Sequence, residues 1–145
     1  MTTLREAVGL ASDEQGLVVV TTTRADGTVQ ATVVNAGVVT HPATGDDVLA
    51  FVAAGPVKRA HLRRRPQLTA TFRHGWHWAT IEGTTELAGP DDPQPWAEGD
   101  RLRLLLREIF EAAGGTHDDW DAYDRTMATE RRAAVLVTPT RVYGP

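Results

Sequence analysis

The chain has 145 residues, 41% hydrophobic and 23% charged, with a formal net charge of −4 and no cysteine. That length and balance fit one globular domain, residues 1–145, with a real core, and the missing cysteines exclude disulfides, thiolate metal sites and a cysteine nucleophile. The acid excess argues against general nucleic-acid binding, and the apolar stretches are too short to span a bilayer.

The opening Met-Thr-Thr-Leu-Arg-Glu has no secretory-signal character, so a cytoplasmic location is expected. Thr3 to Glu6 have capping-box spacing, and Leu4, Ala7, Val8 and Ala11 then share the face of a short helix. Gly16 to Arg24, rich in Val and Thr, reads as a strand. Ala25-Asp26-Gly27 is a tight-turn signal, because Asp-Gly accommodates positive φ. Thr28 to Thr40 reads as a second strand, His41 to Asp46 as a loop and Val48 to Ala53 as a third strand. Pro56 suits the first turn of a helix, predicted over Val57 to Arg65 and stopped by Pro66. Leu68 to Arg73 is a fourth strand, His74-Gly75 a bend and Trp76 to Leu87 a fifth strand. Gly89 to Pro93 is a break.

Leu102, Leu105, Leu106, Ile109, Phe110 and Ala113 then recur at helical spacing, a stripe that faces a core. Gly114-Gly115 ends that helix. A second is predicted from Thr116, with Trp120, Tyr123 and Met127 on one side and Arg131 and Arg132 near its end. Ala133 to Tyr143 is the last strand. Strands joined by tight turns favour a mostly β, α+β architecture: an antiparallel sheet closed or folded on itself, not an alternating βαβ design.

Gly55 to His74 carries the strongest functional signal. It holds Lys58, Arg59, Arg63, Arg64, Arg65 and Arg73, and no acid occurs from Gly55 through Ile81. Lys58 is the only lysine of the chain. Such a patch on an acidic protein points to a bound anion, a phosphate or carboxylate. Lys58 and Arg59 fall in the first turn of a helix, where cations oppose the dipole unless an anion meets the free N–H groups. A solvated basic helix is the competing reading, with Arg63, Arg64 and Arg65 its best candidates.

Trp76-His77-Trp78 is the second signal. On a strand the tryptophans share one face and His77 takes the other. Either face suits a flat heterocycle, and the tryptophans equally suit a core or a dimer surface. His74 and His77 have no third ligand nearby, so no metal site is expected. Dinucleotide fingerprint, P-loop, H-E-x-x-H and nucleophile-elbow motifs are all missing. No nucleophile–base pair stands out, and no catalytic side chain is assigned. A cofactor is expected to carry any chemistry.

Val19 to Gly27, Thr32-Val33-Val34-Asn35, the run from Phe51 to Pro66 and the closing Ala134 to Gly144 together resemble a known family. It is the pyridoxamine 5'-phosphate oxidase-like split β-barrels, in particular the actinobacterial branch that uses the deazaflavin coenzyme F-420. The resemblance implies an FMN-binding-like split β-barrel with a helical insert, Pro93 to Thr129, before the last strand. It implies a homodimer paired through the barrels, with the cofactor in a groove at the interface. Thr32, Val33, Val34 and Asn35, with Phe51, Val52 and Ala53, would flank the ring. Lys58 and Arg59, beside Val57, would hold the phosphate, and an anionic tail would run along Arg59 and Arg63. Trp76, His77 and Trp78 would face the partner's cofactor.

The FMN branch of that family often clasps its phosphate with Arg, Ser and Lys positions; Ala53-Ala54-Gly55 supplies no hydroxyl at the turn, so the resemblance implies F-420 over FMN. The implied activity is a reductase that passes a hydride from the reduced deazaflavin to an electron-poor small molecule. A conjugated C=C, a quinone or a tetrapyrrole-like acceptor fits, with His77 or solvent returning the proton. Two alternatives stay open: an FMN-dependent oxidase or reductase of the same fold, and a non-enzymatic flavin- or tetrapyrrole-binding protein.

Overall fold

Asp26 and Gly27 make the first hairpin. Gly27 takes φ +86°, and Asp26 Oδ1 accepts from the Thr28 amide at 3.0 Å and its hydroxyl at 2.6 Å. The turn joins β1 (Leu17–Thr23) to β2 (Val29–Asn35), paired from Leu17↔Asn35 to Thr23↔Val29. The computed structural model describes residues 2–145. Its other strands are β3 (Gly37–Thr40), β4 (Asp47–Ala53), β5 (Gln67–His74), β6 (His77–Ala88) and β7 (Ala133–Tyr143). The helices are α1 (Leu4–Gly9), α2 (Pro56–Arg64), α3 (Asp100–Ala112) and α4 (Trp120–Thr129). All strand pairings are antiparallel, in the order β2-β1-β5-β6-β7-β4-β3. The expected α+β class and the helical insert before the last strand are both present.

The two edge strands are neighbours in sequence. Only Ala36 separates β2 from β3, although they lie at opposite ends of the sheet order. The sheet must therefore curl until its edges meet, which gives a split barrel. This corrects the reading of Thr28 to Thr40 as one strand. Val29–Asn35 pairs with β1 and Gly37–Thr40 with β4, so the chain changes partners at Ala36. The Ala36 amide donates to the Gly16 carbonyl at 3.0 Å, which pins the seam.

The barrel interior holds Val18, Val20, Phe51, Leu68, Phe72, Ile81, Val135 and Val137, plugged by Leu62 of α2 and Ala7 of α1. A second core forms outside, where α3 and α4 cover Val48, Ala50 and Leu136 with Leu105, Leu106, Ile109, Tyr123 and Met127. Strand β4 is thus covered on both faces, which explains its nearly unbroken apolar run.

Two further expectations shift. Gly75-Trp76 is the two-residue loop of the β5–β6 hairpin, closed by the His74↔His77 pair. Trp76 is therefore a turn residue, not a strand neighbour of Trp78. The second helix of the insert begins at Trp120, not Thr116. Asp119 caps it by accepting from the Ala122 amide at 3.1 Å. His117 Nδ1 accepts from the Asp119 amide at 3.0 Å, which holds the preceding residues in a loop. Among the described residues, no helix is long and apolar enough to cross a membrane.

Candidate functional site

Where the barrel is split, a cavity of about 380 Å³ opens between β2, the start of α2 and the helical insert. Val33, Val34 and Asn35 line it from β2, and Val52 from β4. Ala54, Gly55 and Lys58 bring the N-terminal end of α2, and Ile109, Phe110, Tyr123 and Met127 bring α3 and α4. Arg132, just before β7, completes the lining. The volume lies in the usual range for small-molecule sites, about 300–1,000 Å³.

The pattern of each element decides which predicted residues reach the cavity. In β4, alternation sends Phe51 and Ala53 into the barrel, both fully buried, and leaves Val52 on the outer side. In β2, Thr32 is half-buried and does not line the cavity, and its Oγ1 is buried without a partner. Asn35 donates Nδ2–H to the Gln15 carbonyl at 2.7 Å, which fixes the amide and leaves its oxygen as an acceptor.

Most of the basic cluster is engaged within the fold. Arg59 is 7% exposed. It donates to the Gly55 carbonyl at 3.3 Å and to the Arg131 carbonyl at 2.6 Å. Arg63 makes a two-pronged pair with Asp92 at 2.6 and 2.7 Å. Arg65 donates to the Thr23 carbonyl and Arg73 to that of Gly75. Arg64 is exposed. The structure thus brings Lys58 to the cavity but not Arg59, Arg63 or the exposed Val57.

Lys58 differs from its neighbours. Burial alone acts on its ammonium and lowers its pKa from the ordinary value of 10.5, with no carboxylate to offset it. Its Nζ lies 5.7 Å from the centroid of the Phe51 ring. Gly55 caps α2 without a side-chain hydrogen bond and Pro56 occupies its first turn, so the following N–H groups stay open to an anion.

Arg132 is a cavity-lining cation to which sequence reasoning gives no binding role. Its terminal nitrogen lies 3.2 Å from Glu130, yet its Nε is buried without a partner. A buried unpaired donor is costly, and a ligand acceptor at that point would satisfy it. Tyr123 offers no proton to the cavity: its hydroxyl donates to the Leu106 carbonyl at 3.0 Å, and burial pushes its pKa up to about 12.

Trp76, His77 and Trp78 do not line this cavity. Trp76 stands 95% exposed at the hairpin tip, and Trp78 packs edge-on against Tyr143 at 6.2 Å. Among the described residues, no group of three or more His, Asp or Glu side chains is arranged to hold a metal ion.

The arrangement of seven strands and capping helices is the split barrel of the pyridoxamine 5'-phosphate oxidase-like proteins. No family model matches the chain. Among solved structures it is similar to a conserved hypothetical protein of Mycobacterium tuberculosis. There the TM-score is 0.69 at 16% identity, over 99% of this chain and 84% of that one. It is similar to an F-420 reductase at TM-score 0.63 and 15% identity, over 99% and 98% of the two chains. It is also similar to a pyridoxamine 5'-phosphate oxidase-related, FMN-binding protein of Nostoc punctiforme. That match has TM-score 0.62 and 14% identity, over 98% and 84%. At these identities the likeness carries the fold and leaves the ligand to be argued from the site.

Proposed function

We propose that this protein is an F-420-dependent reductase that works as a homodimer. The observation that carries the reading is one cavity joining an anion clasp to an apolar wall. Lys58, the open N–H groups of α2 and Arg132 supply the clasp. Val33, Val52, Phe110 and Met127 supply the wall. A flat ring bearing a phosphate is the ligand class this set fits, with charge on the cations and the ring on the wall. Ala54 and Gly55 put no hydroxyl beside the clasp, and the resemblance to a family whose FMN branch often uses a serine there favours F-420 over FMN.

When bound, the reduced deazaflavin supplies the hydride that an electron-poor acceptor receives. The chain's part is to hold ring and acceptor in line and to keep water from the wall, which can lower a barrier by several kcal/mol. Tyr123 is committed to the Leu106 carbonyl and Lys58 to the ligand's anion, so neither is assigned the return of a proton. Solvent, or His77 of a second copy, fills that role in this reading.

Titration of the purified protein with F-420 and with FMN, read by fluorescence, tests it. F-420 is expected to bind and FMN to bind much more weakly. Binding of FMN alone moves the reading to an FMN enzyme, the cofactor named for the Nostoc neighbour. Binding of neither overturns it. The shortage of acid–base side chains also favours a non-enzymatic binding protein. Consumption of reduced F-420 on adding an enone or quinone decides against that alternative.

The dimer rests on the outer face of β1 and β2. Leu17, Val19, Val29 and Val33 are large apolar residues left exposed there, with Val19 directly opposite Val33. An apolar strand face of this kind marks an interface. A second copy suits it because the Trp76–Trp78 tip does not line the cavity described above, and Trp76, out in solvent, can approach another chain's. Val19→Glu is expected to halve the mass seen in sedimentation velocity. An unchanged mass rules this face out.

A further inference from the structure

Arg132 owes its place to an unusual helix ending. The Arg131 amide donates to the Ala128 carbonyl at 3.1 Å and the Arg132 amide to that of Met127 at 3.0 Å. These two bonds define a Schellman stop for α4, in which the residue after the cap adopts the left-handed conformation. Glycine is the usual choice there. At the end of α3 the same stop uses Gly114, at φ +92°. At the end of α4 the position is held by Arg131, at φ +51°. An arginine in that conformation needs something to keep it there.

Two contacts from other elements converge on Arg131. Its guanidinium holds Asp91, at 2.6 Å from Nη2 and 3.2 Å from Nε. Its carbonyl accepts from the buried Arg59 at 2.6 Å, and Arg59 Nη1 also lies 3.9 Å from the same Asp91 carboxylate. The loop before the insert, helix α2 and the end of α4 are thereby tied at one residue. The next residue is Arg132, which lines the cavity with Lys58.

We propose that Arg59, Asp91 and Arg131 are positioning residues. Together they lock the left-handed stop of α4 and so present Arg132 to an anionic ligand that none of the three touches. This rests on the anion-clasp reading above. It also gives Arg59 a different part from the direct phosphate contact that its place in the sequence implies.

Coulomb attraction and positioning make opposite forecasts for Asp91→Asn. Removing a carboxylate makes the region more positive, so simple electrostatics tightens the binding of an anion. Positioning loosens it, because Arg131 loses its anchor. Affinity for F-420 and FMN, measured by fluorescence in variants shown by circular dichroism to be folded, is expected to fall about 3- to 10-fold, in the lower part of the range of coupling within one network. Arg131→Val, a β-branched residue disfavoured at positive φ, is expected to bind as weakly. Arg131→Gly is expected to restore binding to within about twofold of wild type, since glycine holds the stop unaided. In the Arg131→Gly background, Asp91→Asn should no longer weaken binding.

Tighter or unchanged binding in Asp91→Asn, or equal losses in Arg131→Gly and Arg131→Val, overturns the proposal. Lys58→Ala and Arg132→Met form the separate arm. If these two leave affinity unchanged, the anion clasp itself is wrong and the positioning role falls with it. If they weaken binding while Asp91→Asn does not, only the positioning role fails.

Discussion

Replacing Lys58 by alanine is expected to weaken the binding of a phosphate-bearing flavin or deazaflavin about 10- to 100-fold. A hydrogen bond to a charged group is worth roughly 1.5–3 kcal/mol, and Arg132, which shares the cavity, keeps the loss from being complete. The salt dependence of binding should become shallower by about one charge, as one ion pair is removed from the complex. The pH dependence follows from the sign of the shift. Burial holds the Lys58 pKa below 10.5 in the free protein, and a bound anion raises it again. Affinity is therefore full below the lowered pKa and declines as pH rises through it. In the window between free and bound pKa values, binding takes up protons, which titration calorimetry in buffers of different ionisation enthalpy measures. Unchanged affinity in Lys58→Ala would make this lysine an ordinary half-buried charge.

Gly37→Val is expected to destabilise the fold by about 3 kcal/mol, at the upper end of the usual penalty for overpacking. Gly37 follows the seam residue Ala36. A Cβ there would overlap the Ala112 carbonyl and crowd the Ala113 amide, which are backbone atoms at the end of α3. No flexible side chain can give way, so the helix itself must shift. Gly16 backs the same spot, with φ +70° and an added Cβ only 2.5 Å from the Ala113 carbonyl oxygen. Because Ile109, Phe110 and Ala113 of this segment also line the cavity, the lost stability should come with lost ligand affinity. Urea denaturation and a cofactor titration on the same variant check both. A variant as stable as wild type would mean that the glycine is not there to make room.

Much of this fold is legible because hairpin and helix-stop chemistry is local. Asp26-Gly27, Gly55-Pro56 and Gly114-Gly115 each mark a boundary that the chain uses. The change of partner at Ala36 is not local. Val33, Val34, Val38 and Val39 have equal strand character on both sides of it, and only long-range pairing shows that the strand is two. The site is legible to the extent that charge and composition single out Lys58. Charge carries no direction, however. Arg59 lies three residues before Leu62, so it shares the face that α2 buries. The wall made by Ile109, Phe110, Tyr123 and Met127 follows the same helical period as a core stripe. Periodicity tells which face is covered, not whether a ligand does part of the covering. In β4, apolar residues on both faces leave no polar alternation to separate Val52 from Phe51 and Ala53.

The place of β7 has a consequence for how the chain acquires its fold. It is the last strand in sequence order, yet it sits inside the sheet between β6 and β4. Until it arrives, both neighbours are open edges, and Phe51, Leu87 and Ala88 have no partner strand. The pair Val137↔Leu49 bridges most of the chain, so this closure is a slow, high-contact-order event. During synthesis the emerging protein holds two sticky strand margins until β7 itself has left the ribosome. A nonsense or frameshift lesion even slightly upstream of Ala133 would therefore leave an aggregating product, not a shortened but soluble one.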